Sequence, residues 1–236
     1  MTGKRPTSNG KCDLCGAVFS KAAMTGHLKS CKKKAGRGEA TGKLTKKEAF
    51  HLVVEGRYQP EYWMHLEVPA QATLDTLDRF LRDTWLECCG HLSEFEIDGR
   101  RYSAEPMDLM MGLMDDLPNV DDGSMDVKLK DVLTPGMKFE HAYDFGSTTH
   151  LRLKVVSKDE SPLKPDEIRV LARNEPPTIP CANCGKPATQ VCTQCMYSEE
   201  GEGWLCDECA SKHDCEEPMF LPVVNSPRVG VCGYAG

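Results

Sequence analysis

A chain of 236 residues, 40% apolar and with a net charge of −7, can build one sizeable core but not two large ones. It has no run of 18 apolar residues, and its positively charged start has no apolar stretch behind it, so neither a membrane-spanning helix nor a secretory leader is expected and a cytoplasmic protein is. Thirteen cysteines, an odd number and mostly in C-x-x-C pairs, suit metal binding better than a disulfide framework in a reducing compartment.

The charge is unevenly spread. Residues 1–43 hold ten Lys/Arg against Asp13 and Glu39, a balance of +8, and the remainder carries 19 basic and 34 acidic residues, a balance of −15. A basic arm on an acidic body can contact nucleic acid through the arm, while the body repels phosphate. A solvated tail serving solubility fits the same charge pattern.

In chain order, residues 1–10 are polar. Residues 11–34 hold Cys12-x2-Cys15-x11-His27-x3-Cys31, four ligands at spacings that suit one tetrahedral zinc. Two residues between cysteines place both thiolates on one side of a tight turn, and Gly16 permits the backbone that follows. His27 and Cys31 are four apart and share a helix face. Phe19 and Met24 are predicted to fill a small core between hairpin and helix. The pattern resembles the C-C-H-C variant of the zinc-finger family over about 20 residues, with a one-residue departure before His27. Lys29, Lys32, Lys33 and Lys34 are the candidate phosphate contacts. The Lys- and Gly-rich stretch KKKAGRGEATGK then reads as a flexible linker.

Residues 44–174 read as a zinc-free α+β domain with a central antiparallel or mixed sheet and one main helix. Ala49–Val54 and Tyr62–Val68 form a hairpin across the turn marked by Gly56 and Pro60. Thr73 caps a helix whose stripe is Leu74, Leu77, Leu81, Trp85 and Cys88, and Gly90 ends it. Phe95 and Ile97 alternate with Glu94, Glu96 and Asp98, and Asp98-Gly99 turns the chain towards Arg100 and Tyr102. Residues 104–126, rich in Met and Asp, show little periodicity and read as a long loop or short irregular helices. Leu129–Leu133 makes one helical turn. Lys138–Tyr143 and Leu151–Val156 are strands joined around Asp144-Phe145-Gly146-Ser147, and Ile168–Ala172 is a last strand. Prolines 162, 165, 176, 177 and 180 lead into the second cysteine segment.

From Tyr62 to Val156 the chain resembles the plasmid pRiA-type ORF-three-like domain family. The resemblance is carried by Val68-Pro69, by His91-Leu92-Ser93-Glu94-Phe95 and by Tyr143-Asp144-Phe145-Gly146. Ser147, Thr148 and Thr149 stand where an acidic and an aromatic residue often follow the glycine. The resemblance implies an α+β fold and no particular activity. His91, Glu94, Asp144 and His150 are the polar residues from which acid–base chemistry would have to be drawn. Asp144 equally suits a hairpin turn, and His91 the end of a helix. There is no nucleophile elbow, phosphate loop or dinucleotide fingerprint.

Residues 180–236 hold Cys181-x2-Cys184, Cys192-x2-Cys195 and Cys206-x2-Cys209, followed by His213, Cys215 and Cys232. Six thiolates with a nearby imidazole exceed one site, so two ions are expected here and three in the whole chain. The segment resembles B-box-like and other cross-brace zinc modules. That resemblance implies that the first and third pairs share one ion, and that Cys192, Cys195 and His213 share the other with Cys215 or Cys232. Trp204 and Tyr197 are expected to pack around these sites. Asn225-Ser226-Pro227-Arg228 is either a turn returning the chain to the metal core or a recognition loop with Arg228 as an anion anchor. Glu199, Glu200 and Glu202 lie in a Gly-rich turn and look solvated rather than catalytic.

With surplus ligands and no coherent catalytic set, the sequence points to a zinc-binding, non-enzymatic adaptor or regulator that engages a protein partner. Nucleic-acid binding through the basic finger and metal-dependent hydrolysis are the alternatives.

Overall fold

Alternating apolar and polar residues make strands the commonest regular structure among the described residues. The computed structural model describes residues 8–38, 46–103, 123–198 and 201–236; the side chains of 33–38 fall outside that description. The chain divides into two compact units, Met1–Leu81 with Leu92–Glu175, and Arg82–His91 with Pro176–Gly236.

The first unit runs β1 (Asn9–Cys12), β2 (Val18–Ser20), α1 (Lys21–Gly38), β3 (Lys47–Gly56), β4 (Trp63–Pro69), α2 (Leu74–Leu81), β5 (Ser93–Ile97), β6 (Arg100–Ser103), β7 (Gly123–Ser124), α3 (Leu129–Val132), β8 (Lys138–Tyr143), β9 (Thr149–Ser161) and β10 (Arg169–Asn174). These strands form one mixed sheet in the order β2-β1-β10-β4-β3-β9-β8-β5-β6-β7. Every pairing is antiparallel except β6 with β7. The fold is α+β, as the sequence implies. The hairpins foreseen around Gly56–Pro60, Asp98-Gly99 and Asp144–Ser147 are all present. Asp98 and Gly99 take φ of 56° and 79°, the left-handed pair that a two-residue hairpin turn requires. Of the Met-rich stretch, residues 104–122 lie outside the described residues.

Register assigns side chains to faces, because directly paired antiparallel residues point the same way. Leu52 lies opposite Leu66 and Val155, and Val54 opposite Met64 and Leu153, so these residues build one apolar face. Phe139 and His141 on β8 and Phe95 on β5 continue it. Helix α2 covers this face. Thr73 Oγ1 accepts the backbone N–H of Thr76 at 3.1 Å and so caps the helix. Leu74, Leu77 and Leu81 are buried, and Asp78 sits 2.7 Å from His141 Nε2.

The opposite face carries Trp63, His65 and Glu67 of β4 beside Glu55, Val53 and His51 of β3. Such a polar set normally faces water, yet all seven residues of β4 are buried. The N-terminal segment covers them. β1 pairs with β10, and Met24 and Leu28 of α1 cluster with Cys12, Cys31, Trp63, Leu171 and Ala172. Trp63 Nε1 donates to Ser8 Oγ at 2.7 Å. Lys21 pairs with Glu55, and Lys32 with Glu67 at 2.9 Å. The cysteine segment expected to form its own small core is therefore built into the sheet. The expected linker is also shorter, because α1 continues to Gly38; residues 39–45 lie outside the described residues.

The predicted helix over 74–88 ends early. After Leu81 the backbone widens into a π turn, Arg82–Leu86, with Glu87 N–H donating to Arg82 O at 2.8 Å. An i→i+5 bond breaks the 3.6-residue period, so Cys88 leaves the apolar stripe and lies beyond the helix. Gly90, expected to end the helix, instead turns the chain between Cys89 and His91 with φ of 71°.

The second unit has a three-stranded sheet, β12-β11-β13, made of β11 (Gln190–Cys192), β12 (Trp204–Leu205) and β13 (Phe220–Pro222). Single turns of helix follow two of the strands, α4 (Thr193–Met196) and α5 (Asp207–Ala210). Trp204 is half-buried, whereas Tyr197, expected to pack around a site, is 67% exposed.

Candidate metal centres

All thirteen cysteines are free thiols. All of them, with three histidines that the sequence singles out for different reasons, fall into four groups of four. In each group the donor atoms lie within 4.8 Å of one another.

The first group is Cys12, Cys15, His27 and Cys31. Cys12 ends β1, and the turn after it is closed by Gly16 N–H to Cys12 O at 2.7 Å and Cys12 N–H to Ala17 O at 2.9 Å. Gly16 takes φ of 75°, the left-handed conformation anticipated for it. His27 and Cys31 come from one face of α1. Cys12 Sγ lies 3.9 Å from Cys31 Sγ, and Cys15 Sγ 3.4 Å from His27 Nε2. Phe19 stacks on the His27 ring with centroids 4.2 Å apart, which orients it. Burial and the adjacent Cys15 and Cys12 thiols push the Cys31 thiol up to about 12, so this thiol keeps its proton until a cation displaces it.

The second group is Cys181, Cys184, Cys206 and Cys209. Its first pair repeats the same turn: Gly185 N–H donates to Cys181 O at 2.9 Å, Cys181 N–H to Lys186 O at 2.7 Å, and Gly185 has φ of 73°. Its second pair opens α5. Cys184 and Cys206 sulfurs lie 3.6 Å apart. The third group is Cys192, Cys195, His213 and Cys215, with Cys192 to Cys215 at 3.9 Å and Cys195 Sγ to His213 Nε2 at 3.3 Å. First and third pairs thus meet, and so do the second pair and the histidine, in the cross-brace order. Cys215 completes the last set, and Cys232 does not.

A tetrahedral ion with bonds of about 2.3 Å to sulfur and 2.0–2.1 Å to nitrogen sets its donors about 3.8 Å apart for two sulfurs and about 3.5 Å for sulfur and nitrogen. The separations above follow those edges. A disulfide would draw two sulfurs to about 2.05 Å. The four Cys/His clusters are therefore shaped to hold metal ions.

The fourth group, Cys88, Cys89, His91 and Cys232, was not foreseen as a site. Its signal in the sequence is Cys88-Cys89-Gly90-His91, hidden by an apparent helical stripe and by the absence of a C-x-x-C pair.

The remaining candidates have local structural partners. Asp144, at φ of 66°, accepts the N–H groups of Gly146 at 3.0 Å and Ser147 at 3.2 Å, which makes it a turn residue. His150 meets the edge of Tyr58, and Glu94 lies in β5 opposite Ala142 and Ser103. Arg228 is fully buried, which rules out an exposed anion anchor. Its backbone N–H donates to Ser226 Oγ at 2.9 Å, so the Asn225–Arg228 stretch is a turn within the second unit. Glu202 is exposed; Glu199 and Glu200 lie outside the described residues. Of the lysines proposed for phosphate, Lys32 is committed to Glu67 and Asp159, Lys29 is exposed, and the side chains of Lys33 and Lys34 lie outside the description.

The family model described as plasmid pRiA4b ORF-3-like protein matches residues 49–187. The chain belongs to this family. The match takes in the sheet from β3 to β10 and stops among the first cysteines of the second unit. A crystal structure of a protein of unknown function, MM3350 from Methanosarcina mazei Go1, is 21% identical, with a TM-score of 0.41 over 50% of this chain and 64% of that one. No curated protein matches the chain. Among the described residues no helix is long and apolar enough to cross a membrane.

Proposed function

We propose that the chain is a zinc-stabilised, non-enzymatic binding protein of the pRiA4b ORF-3-like family, with zinc in the Cys12, Cys181 and Cys192 clusters and a protein partner. The observation that carries this reading is the completeness of each donor set. Four thiolate or imidazole donors close a tetrahedron and leave no position for a substrate or an activated water, as structural zinc requires and catalytic zinc does not. Thiolate-rich sets also favour zinc over the hard cations magnesium and calcium.

The surface we assign to the partner is one end of the sheet. The β3–β4 and β8–β9 turns leave adjacent ends of neighbouring strands, since Gly56 lies opposite Leu151. They present Tyr58 and Phe145, 73% and 50% exposed. Tyr58 is braced by the His150 ring and by the Arg57 guanidinium 5.6 Å from its centroid. Exposed aromatics held in place are what binding surfaces use as anchors.

Elemental analysis of protein purified in reductant should return at least three zinc ions per chain, and fewer than two would end the zinc reading. Proteins that co-purify with the tagged chain from its own host should be lost from the Tyr58→Ala/Phe145→Ala variant at unchanged zinc content. Equal recovery by that variant would remove the assigned surface.

A further inference from the structure

The fourth cluster differs from the others in its construction. Cys88, Cys89 and His91 come from the short segment that interrupts the first unit, and Cys232 comes from the far end of the chain, 141 residues after His91. The bent backbone at residues 88–89 lets adjacent side chains converge, which an extended strand would send to opposite faces. Gly90, in the left-handed region, turns His91 back towards the same point, and Cys232 holds the left-handed conformation itself with φ of 55°. A non-glycine residue in that region is costly and persists where its surroundings demand it. Cys232 Sγ lies 3.9 Å from Cys89 Sγ and 3.6 Å from His91 Nε2, close to the edges of a zinc tetrahedron with bonds of about 2.0–2.3 Å.

Around these four donors sits a supporting shell. Arg228 Nη2 donates to Cys88 Sγ at 3.3 Å, and Arg228 is 0% exposed. A buried guanidinium needs negative charge beside it. Three thiolates and a neutral imidazole around a divalent ion carry a net charge of −1, which the guanidinium balances. Ser226 fixes the geometry, because its hydroxyl donates to Trp85 O at 2.7 Å and accepts the Arg228 N–H. The Trp85 carbonyl belongs to the same π turn that delivers Cys88.

We propose that Cys88, Cys89, His91 and Cys232 bind a fourth zinc ion, with Arg228 as its charge-balancing partner. The ion is a clasp. It fastens the 82–91 segment to the last residues of the chain and closes a loop of more than a hundred residues, a cross-link of the kind that removes most freedom from an unfolded chain. Cys89 and Cys232 are exposed whereas each other cluster buries at least one cysteine, so this ion is the first to leave in competition with a chelator.

The inference shares its chemistry with the zinc reading above but uses different residues, so the two fail separately. The test is native mass spectrometry of the full chain purified with zinc and reductant, compared with Cys232→Ser and Cys89→Ser. The expected result is four ions in the parent and one fewer in each variant. That difference of one is the readout for this site, whatever the total, and the total speaks to the other three. An equal count in parent and variants overturns the proposal. A second measurement needs no variant. In the native parent, Cys89 and Cys232 should resist alkylation despite their exposure and react at least tenfold faster after mild chelation. Prompt alkylation without chelator, or recovery of a Cys89–Cys232 disulfide from freshly purified reduced protein, also overturns it.

Discussion

His51 and His65 have the side chains most out of keeping with their position. Their rings lie on one face of the sheet with Nε2 of His51 2.9 Å from Nδ1 of His65, and both are buried. Two imidazoles joined by one hydrogen bond need an N–H on one ring and a bare nitrogen on the other, so the pair cannot hold once both are charged. Burial lowers His51 to about 4, and burial with the neighbouring His51 lowers His65 to about 3. An unfolded histidine titrates near 6.5. Between about pH 6.5 and 3 the unfolded chain therefore binds more protons, so the pair stabilises the fold above pH 6.5 and that contribution is lost as pH falls through the window. Imidazole nitrogen NMR should show both rings neutral at pH 5.5. Protonation of either ring with a midpoint above 6 would contradict the buried pair.

At the scale of elements, the burial of those rings depends on the N-terminal hairpin and α1 lying over β4. Gly10 is where that packing is tightest. A Cβ there would come within 2.4 Å of both the Arg173 carbonyl oxygen and the Trp63 ring. Gly10→Val should therefore lift β1 from β10 and destabilise the first unit by about 1–3 kcal/mol, the usual cost of overpacking. Denaturant unfolding gives the magnitude, and a rise in the His51 and His65 midpoints towards 6.5 identifies the cause. Lost stability with both rings still neutral at pH 5.5 would mean that something other than this segment covers them. The same region shows what a sequence can and cannot disclose. The strands β3, β4, β8 and β9 were legible because period-two alternation and turn residues are local signals. The docking of the N-terminal cysteine segment was not, because it rests on pairing between residues about 160 apart, Cys12 with Ala172 for example. Ligand spacings of 28 positions or less, the span from Cys181 to Cys209, disclosed the first three clusters. The fourth needed a π turn to carry Cys88 off an apolar stripe and a partner, Cys232, that the sequence offered to a different ion as an alternative to Cys215.

For the molecule as a whole, the proposed metal ions matter to the two units to different degrees. The first unit buries Phe50, Leu52, Val54, Leu151, Leu153 and Val155 along β3 and β9, and apolar area of that kind contributes roughly 25 cal/mol for each Å² taken from water. The second unit has roughly 70 residues, a size at which a single core rarely suffices without staples. Its strands are two or three residues long. One of its hydrophobic clusters consists of Leu205 and Ala210 with Cys181 and Cys206, so half of those buried residues are candidate ligands. Removing metal there takes away the core together with the cross-links. Hydrogen exchange should register this as two responses to a strong zinc chelator. Amides of residues 181–215 should lose protection fully, and those of residues 12–31 should follow, because α1 reaches the sheet through Met24, Leu28 and the Cys12 and Cys31 ligands. Strands β3, β8 and β9 should keep their protection, since among the described residues the α2-covered face of the sheet contributes no side chain to the four clusters. A single loss of protection shared by all these segments would show that the sheet owes its stability to the metal centres as well.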